Sequence, residues 1–135
     1  MKKLASAVLA FVCAAGAATA GPREDAAATA ALAWAQLVDN GHYGESWDQS
    51  ASYFQSRVGK SDWADMAQKA RAPFGGVKSR QLVSARYSTS LPGAPDGQYV
   101  VVQFDTQFEH KQHGVETITP MLEGAAWRVS GYYVK

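Results

Sequence analysis

The 135-residue sequence contains a single cysteine, Cys13, and no apolar run long enough to remain in a bilayer. It also lacks an excess of either charge, with 13 basic against 12 acidic residues and a net charge of +1. Each shortage excludes something. One cysteine cannot form an internal disulfide, which needs two, or a metal site built from several cysteines. Balanced charge without a basic cluster argues against binding to nucleic acid or to anionic membranes. The mainly apolar run of fifteen residues from Leu4 to Ala18 falls short of the roughly 20 that a permanent spanning helix needs.

That short apolar run is informative in its own right. Met1-Lys2-Lys3 precedes it, and Ala18-Thr19-Ala20 follows it before Gly21-Pro22-Arg23. A positive start, a brief apolar core and an A-x-A ending are the parts of a secretory signal peptide. The sequence therefore predicts a signal peptide over residues 1–20, cleaved after Ala20, and one periplasmic or secreted α+β domain over residues 21–135. Phe11 and Val12 stand before Cys13, where a lipid-attachment site would need small residues. The cysteine is thus expected to leave with the signal. Losing Lys2 and Lys3 as well leaves 115 residues with 11 basic and 12 acidic side chains, a net charge of −1. No Pro/Gly/Ser linker, charge block or repeat divides them.

Beyond Arg23 the pattern is first helical and then period two. Glu24 and Asp25 open a helix that runs to Val38, with Ala27, Ala30, Ala31, Trp34, Leu37 and Val38 on one stripe and Asn40-Gly41 as its stop. A short helix is expected around Tyr43–Ser50. Another begins at Ser61, with Trp63, Met66, Ala67 and Ala70 as its buried stripe and Pro73 and Gly75-Gly76 at its end. Val77 to Tyr87, Tyr99 to Phe108, Val115 to Leu122 and Trp127 to Val134 then read as strands. The connections between them are too short for crossover helices, so the strands form an antiparallel meander. Helices followed by strands predict an α+β fold, with N-terminal helices packed on a curved four-stranded antiparallel sheet.

Several of these segments are distinctive. Ala33-Trp34, then Val38-Asp39-Asn40-Gly41-His42-Tyr43-Gly44-Glu45-Ser46-Trp47-Asp48, resembles the opening of a bacterial family, domain of unknown function 4019. The similarity continues through Arg71-Ala72-Pro73-Phe74-Gly75, Leu91 to Tyr99, Val102 to Thr106, Val115 to Glu123 and Trp127 to Tyr133. It implies membership of that family and nothing about activity. More distantly, the order of elements is similar to the cone-shaped folds of nuclear-transport-factor-2-like and cystatin-like proteins, some of which enclose a small-molecule pocket. A fold does not decide a function.

No motif specifies a reaction. There is no G-x-S-x-G elbow, and Gly75-Gly76 lacks the context of a phosphate-cradling loop. His110 and His113, near Glu109 and Glu116, have a spacing suggestive of a metal pair. They fall where the second strand ends and the third begins, however, and hairpin-tip histidines are usually solvated. No metal or cofactor is expected. Asp105 is the weak catalytic candidate. In an enclosed pocket it could act as general base, with Tyr99 or Arg128 orienting a substrate for lyase or isomerase-like chemistry. Alternation instead groups it with Gln103 and Gln107 on a solvent-facing stripe, paired with Arg86 or Arg128, and that reading is preferred. Aromatics are abundant, and the adjacent Tyr132 and Tyr133 must point to opposite faces of their strand.

The leading expectation is a non-catalytic domain that binds a protein or envelope partner through its sheet face, with Tyr99, Arg128, Tyr132 and Trp47 as candidate contacts. The alternative is a small-molecule pocket protein, or an enzyme using Asp105. A third expectation is homodimerisation through the sheet.

Overall fold

A computed structural model describes residues 21–135. The expected signal peptide, including Cys13, lies outside the described residues. Helix α1 spans Pro22–Asp39, with proline in its first turn and Glu24 and Asp25 at its positive end. It stops where Asn40 caps it and Gly41 adopts a φ of +74°, a conformation that only a residue without Cβ takes cheaply. Its buried residues are Ala27, Ala28, Ala31, Trp34, Ala35 and Val38. Small side chains let this helix lie close to the sheet, while Trp34 fills the space beyond them.

Helix α2 (Tyr43–Asp48) occupies the position expected for a short second helix. Helix α3 (Ser52–Arg57) had no sequence expectation, since six residues with only Phe54 buried carry no readable stripe. Helix α4 (Lys60–Arg71) starts one residue before the expected cap at Ser61. Its buried track corrects the expected one: Trp63, Ala67 and Arg71, four apart, face inward, whereas Met66 is 56% exposed and Ala70 also faces solvent. A 12-residue helix resting on one strip of neighbours buries a single i, i+4 row, and here that row ends in an arginine.

A 3-10 turn (Ala72–Phe74) leads to the sheet: β1 (Val77–Ser88), β2 (Tyr99–Phe108), β3 (Lys111–Glu123) and β4 (Ala126–Val134). All neighbours are antiparallel, in the order β1-β2-β3-β4, so the fold is α+β as expected. β1 carries a bulge between Leu82 and Ser84 that leaves Val83 64% exposed. On β2 the inward residues are Val100, Val102, Phe104, Thr106 and Phe108, the face that strict alternation predicts. The core joins Val100, Val102 and Phe104 to Trp34, Phe54, Trp63, Ile118 and Val129. Trp34 and Trp63 lie 5.5 Å apart, with Tyr132 at 5.4 Å from Trp34. Both indole N–H groups donate to Ser46, Trp34 to its carbonyl at 2.9 Å and Trp63 to its Oγ at 2.9 Å. That buried serine therefore links α1, α2 and α4. Among the described residues no helix is long and apolar enough to cross a membrane.

Candidate functional site

The inner face of the sheet changes character along its length. One part is aromatic and apolar. The other holds charge, because Arg80 on β1, Thr106 on β2 and Glu116 on β3 all point inward toward Asp39 at the end of α1 and Arg71 at the end of α4. Glu116 is fully buried and accepts three hydrogen bonds: from Arg80 Nε at 2.8 Å, from Thr106 Oγ1 at 2.5 Å and from Tyr132 Oη at 2.6 Å. Asp39 also accepts three, two from the Arg80 fork at 2.8 and 2.9 Å and one from Arg71 Nη2 at 2.9 Å. Two cations and two anions balance, and the bidentate Arg80–Asp39 pair has the geometry in which such bonds are strongest.

The surroundings shift two of these groups. Burial alone would lower the pKa of Arg80, but its hydrogen bonds and charge interactions with Asp39 and Glu116 outweigh that effect and raise it. Burial, reinforced by the Glu116 charge, raises the Tyr132 phenol well above its ordinary value. Both stay protonated, so Tyr132 is a permanent donor and Arg80 a permanent cation. Each guanidinium nitrogen of Arg80 and each carboxylate oxygen of Glu116 is engaged within the fold. The cluster has the organisation of a clamp across six elements.

Arg71 differs. Its Nε and Nη1 are buried without a hydrogen-bond partner, and its guanidinium carbon lies 5.0 Å from the centre of the Phe108 ring. It borders a cleft of about 240 Å³ lined by Val38, Asp39, Tyr43, Gln68, Gly75 and Gly76. Gly75, with a φ of +73°, turns the chain at this lip. Glu109 from the β2–β3 turn reaches across to accept the Gly76 N–H at 2.7 Å.

Among the described residues no helix covers the opposite face of the sheet, and the loop from Leu91 to Gln98 folds over its end at Tyr99. Gln103, Asp105 and Gln107 project from it, as alternation predicts. Asp105 is not in an enclosed cavity: its side chain is 43% exposed, and His113 Nδ1 lies 3.5 Å from it. The expected cross-strand partners are corrected as well. Asp105 stands opposite Gln81 and Val115, while Arg86 is opposite Val101 and Arg128 opposite Met121. Two shallow depressions mark this face. One, of about 200 Å³, is bordered by Ser79, Gln81, Asp105, Gln107, Gln112 and His113. The other, of about 460 Å³, is bordered by Ser84, Arg86, Tyr87, Ser88, Val101 and Gln103.

The four expected contact residues do not come together. Tyr99 is completely buried, donating to the Pro95 carbonyl at 2.5 Å, because the loop before β2 folds over its ring. Trp47 is half-buried against the core and donates to the Val58 carbonyl at 2.8 Å. Tyr132 faces inward and belongs to the charged cluster, leaving Tyr133, 62% exposed, as the outward member of the pair. Arg128 does lie on the open face, 3.7 Å from Glu123. The two histidines and two glutamates near the β2–β3 turn also part company, with Glu116 inside and His113 outside. Among the described residues no three histidine, cysteine or acidic side chains converge as a metal site would require.

Sequence reasoning did not single out Asp39, Arg71, Arg80 or Glu116. The available signal was alternation: Arg80 is two residues from Leu82, Glu116 two from Ile118, and Thr106 continues the Val102–Phe104 face. Polar residues at inward positions on three adjacent strands mark a buried network. No curated protein matches the chain. A family model, described as a protein of unknown function (DUF4019), matches residues 30–132, a span that takes in all four charged residues and nearly the whole sheet; the chain belongs to that family.

Proposed function

We propose that the protein is exported and works as a non-catalytic binding domain, recognising a protein or envelope partner through the open face of its sheet. The observation that carries this reading is the asymmetry of the sheet. All the helices lie on one face, and the buried charges there are engaged with one another. The other face presents Gln103, Asp105, Gln107, Thr117, Arg128 and Tyr133 outward. Amides and hydroxyls with an exposed aromatic beside them suit recognition by hydrogen bonds and stacking. Export is supported by the signal-like residues 1–20. The likeness to nuclear-transport-factor-2-like and cystatin-like cone folds belongs to the same proposal, supported by helices on one side of a four-stranded meander.

A photo-crosslinking amino acid placed at Gln103 or Tyr133 in producing cells tests the proposal, with Asp65 on exposed α4 as the control position. Discrete adducts at the two sheet positions, and none at Asp65, are expected. Equal labelling at all three, or none at any, would overturn it. An adduct of twice the chain's mass would assign the face to homodimerisation.

A further inference from the structure

We propose that the free edge of β1, with the groove between it and α1, receives an extended acidic segment of a partner protein as an added strand. The two edges of the sheet differ. On β4 the Val129 carbonyl accepts the Ala51 N–H at 2.8 Å, so α3 and its approach close part of that edge. Among the described residues, the backbone of β1 bonds to β2 alone. Helix α1 runs beside β1 in the opposite sense. The Arg23 guanidinium lies 3.3 Å from the Tyr87 ring centre at one end, and Asp39 holds Arg80 at 2.8 and 2.9 Å at the other. Between these contacts a groove of about 290 Å³ is walled by Ala28, Thr29 and Leu32 of α1 and by Leu82 of β1, with Phe104 beneath. Leu32, Leu82 and Val83 are three of the five large apolar side chains exposed among the described residues. A free strand edge with an apolar groove beside it is the arrangement that strand addition uses: the backbone supplies hydrogen bonds, and the groove takes alternate side chains.

Charge decides the occupant. β1 carries Lys78, Arg80 and Arg86 and no acidic residue. Arg80 is spent on Asp39 and Glu116, whereas Lys78 and Arg86 are exposed toward the two ends of the strand. A second copy of β1 would set one cationic strand against another. It would also have to pair across the bulge between Leu82 and Ser84, and an edge bulge with an edge lysine are devices that discourage such self-pairing. An acidic strand meets neither obstacle, because it complements the two exposed cations and need only pair along the regular stretch Ser84–Ser88. Its side chains alternate. Those turned toward α1 enter the groove, which has room for a branched aliphatic group and is closed to acids by Asp25 in its wall. Those turned away run beside Arg86, which borders the outer face with Gln103. The segment that fits therefore alternates aliphatic with acidic residues. This edge adjoins the open sheet face and is engaged independently of it.

The test is a titration of ¹⁵N-labelled protein with a synthetic peptide of alternating valine and aspartate, following backbone amide shifts and amide hydrogen exchange. Two control peptides replace aspartate by lysine, or carry N-methyl groups on alternate backbone nitrogens so that a ladder cannot form. Saturable shifts with a Kd of about 100 μM are expected in β1 and in the adjoining turns of α1, together with slower exchange of β1 amides. The lysine peptide should bind at least about tenfold more weakly, and the N-methylated one should not bind. Leu32→Glu puts a carboxylate into the groove from an exposed helical position and should weaken binding about tenfold. Arg86→Glu, at an exposed strand position, should weaken it less and serves also if Leu32→Glu fails to fold. Equal binding of the aspartate and lysine peptides, undiminished binding of the N-methylated one, shifts confined to the outer face around Gln103 and Tyr133, or no saturable shift would each overturn the proposal. Shifts of the β1 amides that grow with protein concentration in the absence of peptide would assign the edge to a second copy and overturn it equally.

Discussion

The two faces of this sheet both carry polar residues, and they use them in opposite ways. Inside, Arg80, Thr106, Glu116 and Tyr132 are bonded to one another and to Asp39 at 2.5–2.9 Å. Outside, Gln103 reaches Thr117 at only 3.4 Å, and Ser79 reaches Gln107 at 3.3 Å. A charge removed from water must find its partners within the fold or destabilise it, whereas a polar group left in water need not. The inner polar set is therefore structural, and the outer set is free to be selected for recognition.

Substitutions can break that contrast, and they rank clearly. Removing one member of the inner cluster leaves another charge buried and unpaired, so Glu116→Ala should cost about 3–5 kcal/mol in denaturant unfolding. A loss below about 1 kcal/mol would mean that water reaches the cluster. Gly114→Ala comes next. A Cβ there would run into the Phe108 ring and sit 3.2 Å from the Thr106 carbonyl oxygen, and overpacking of this kind costs about 1–3 kcal/mol.

Tyr132→Phe removes one hydrogen bond to a carboxylate, worth about 1.5–3 kcal/mol, and also alters the response to alkali. The folded state holds the Tyr132 proton more tightly than the unfolded chain does. Stability is therefore unaffected by this group below about pH 10, and falls as pH rises above it. Denaturant titrations at about pH 9 and pH 11 should give a shallower decline for Tyr132→Phe than for the parent protein. On the outer face, Tyr133→Ser and Asp105→Asn should each change stability by less than about 0.5 kcal/mol. A larger effect from either would show that the outer face is also structural.

The fold was legible in the sequence where periodicity was long and uniform. Ten residues of β2 alternate without interruption, so their inward face could be read, including Thr106. Helix α1 showed itself by its stripe and by Asn40-Gly41. Helix α3 was not legible, because six residues complete too few turns to display a period. Met66 was misplaced because hydrophobicity alone puts it inside, whereas the buried row of α4 runs Trp63, Ala67, Arg71. Nothing local to Tyr99 indicates that the loop from Leu91 to Gln98 folds back over it and buries its ring. The charged cluster was obscured for another reason. Its members are drawn from separate elements, and Glu116 stands beside histidines that suggested a different chemistry. Sequence proximity pointed to a metal site, while alternation sends Glu116 and His113 to opposite sides.

The clamp also bears on the order of events in folding. Asp39 and Arg80 are 41 residues apart, Arg80 and Glu116 are 36 apart, and Tyr132 joins from the last strand. None of these charges leaves water favourably until the others arrive, so the ion-paired set is expected to close late, after the local helices have formed. Contacts made after the transition state govern how fast a protein comes apart, not how fast it forms. The cluster is accordingly expected to act as a kinetic latch, setting the lifetime of the folded chain.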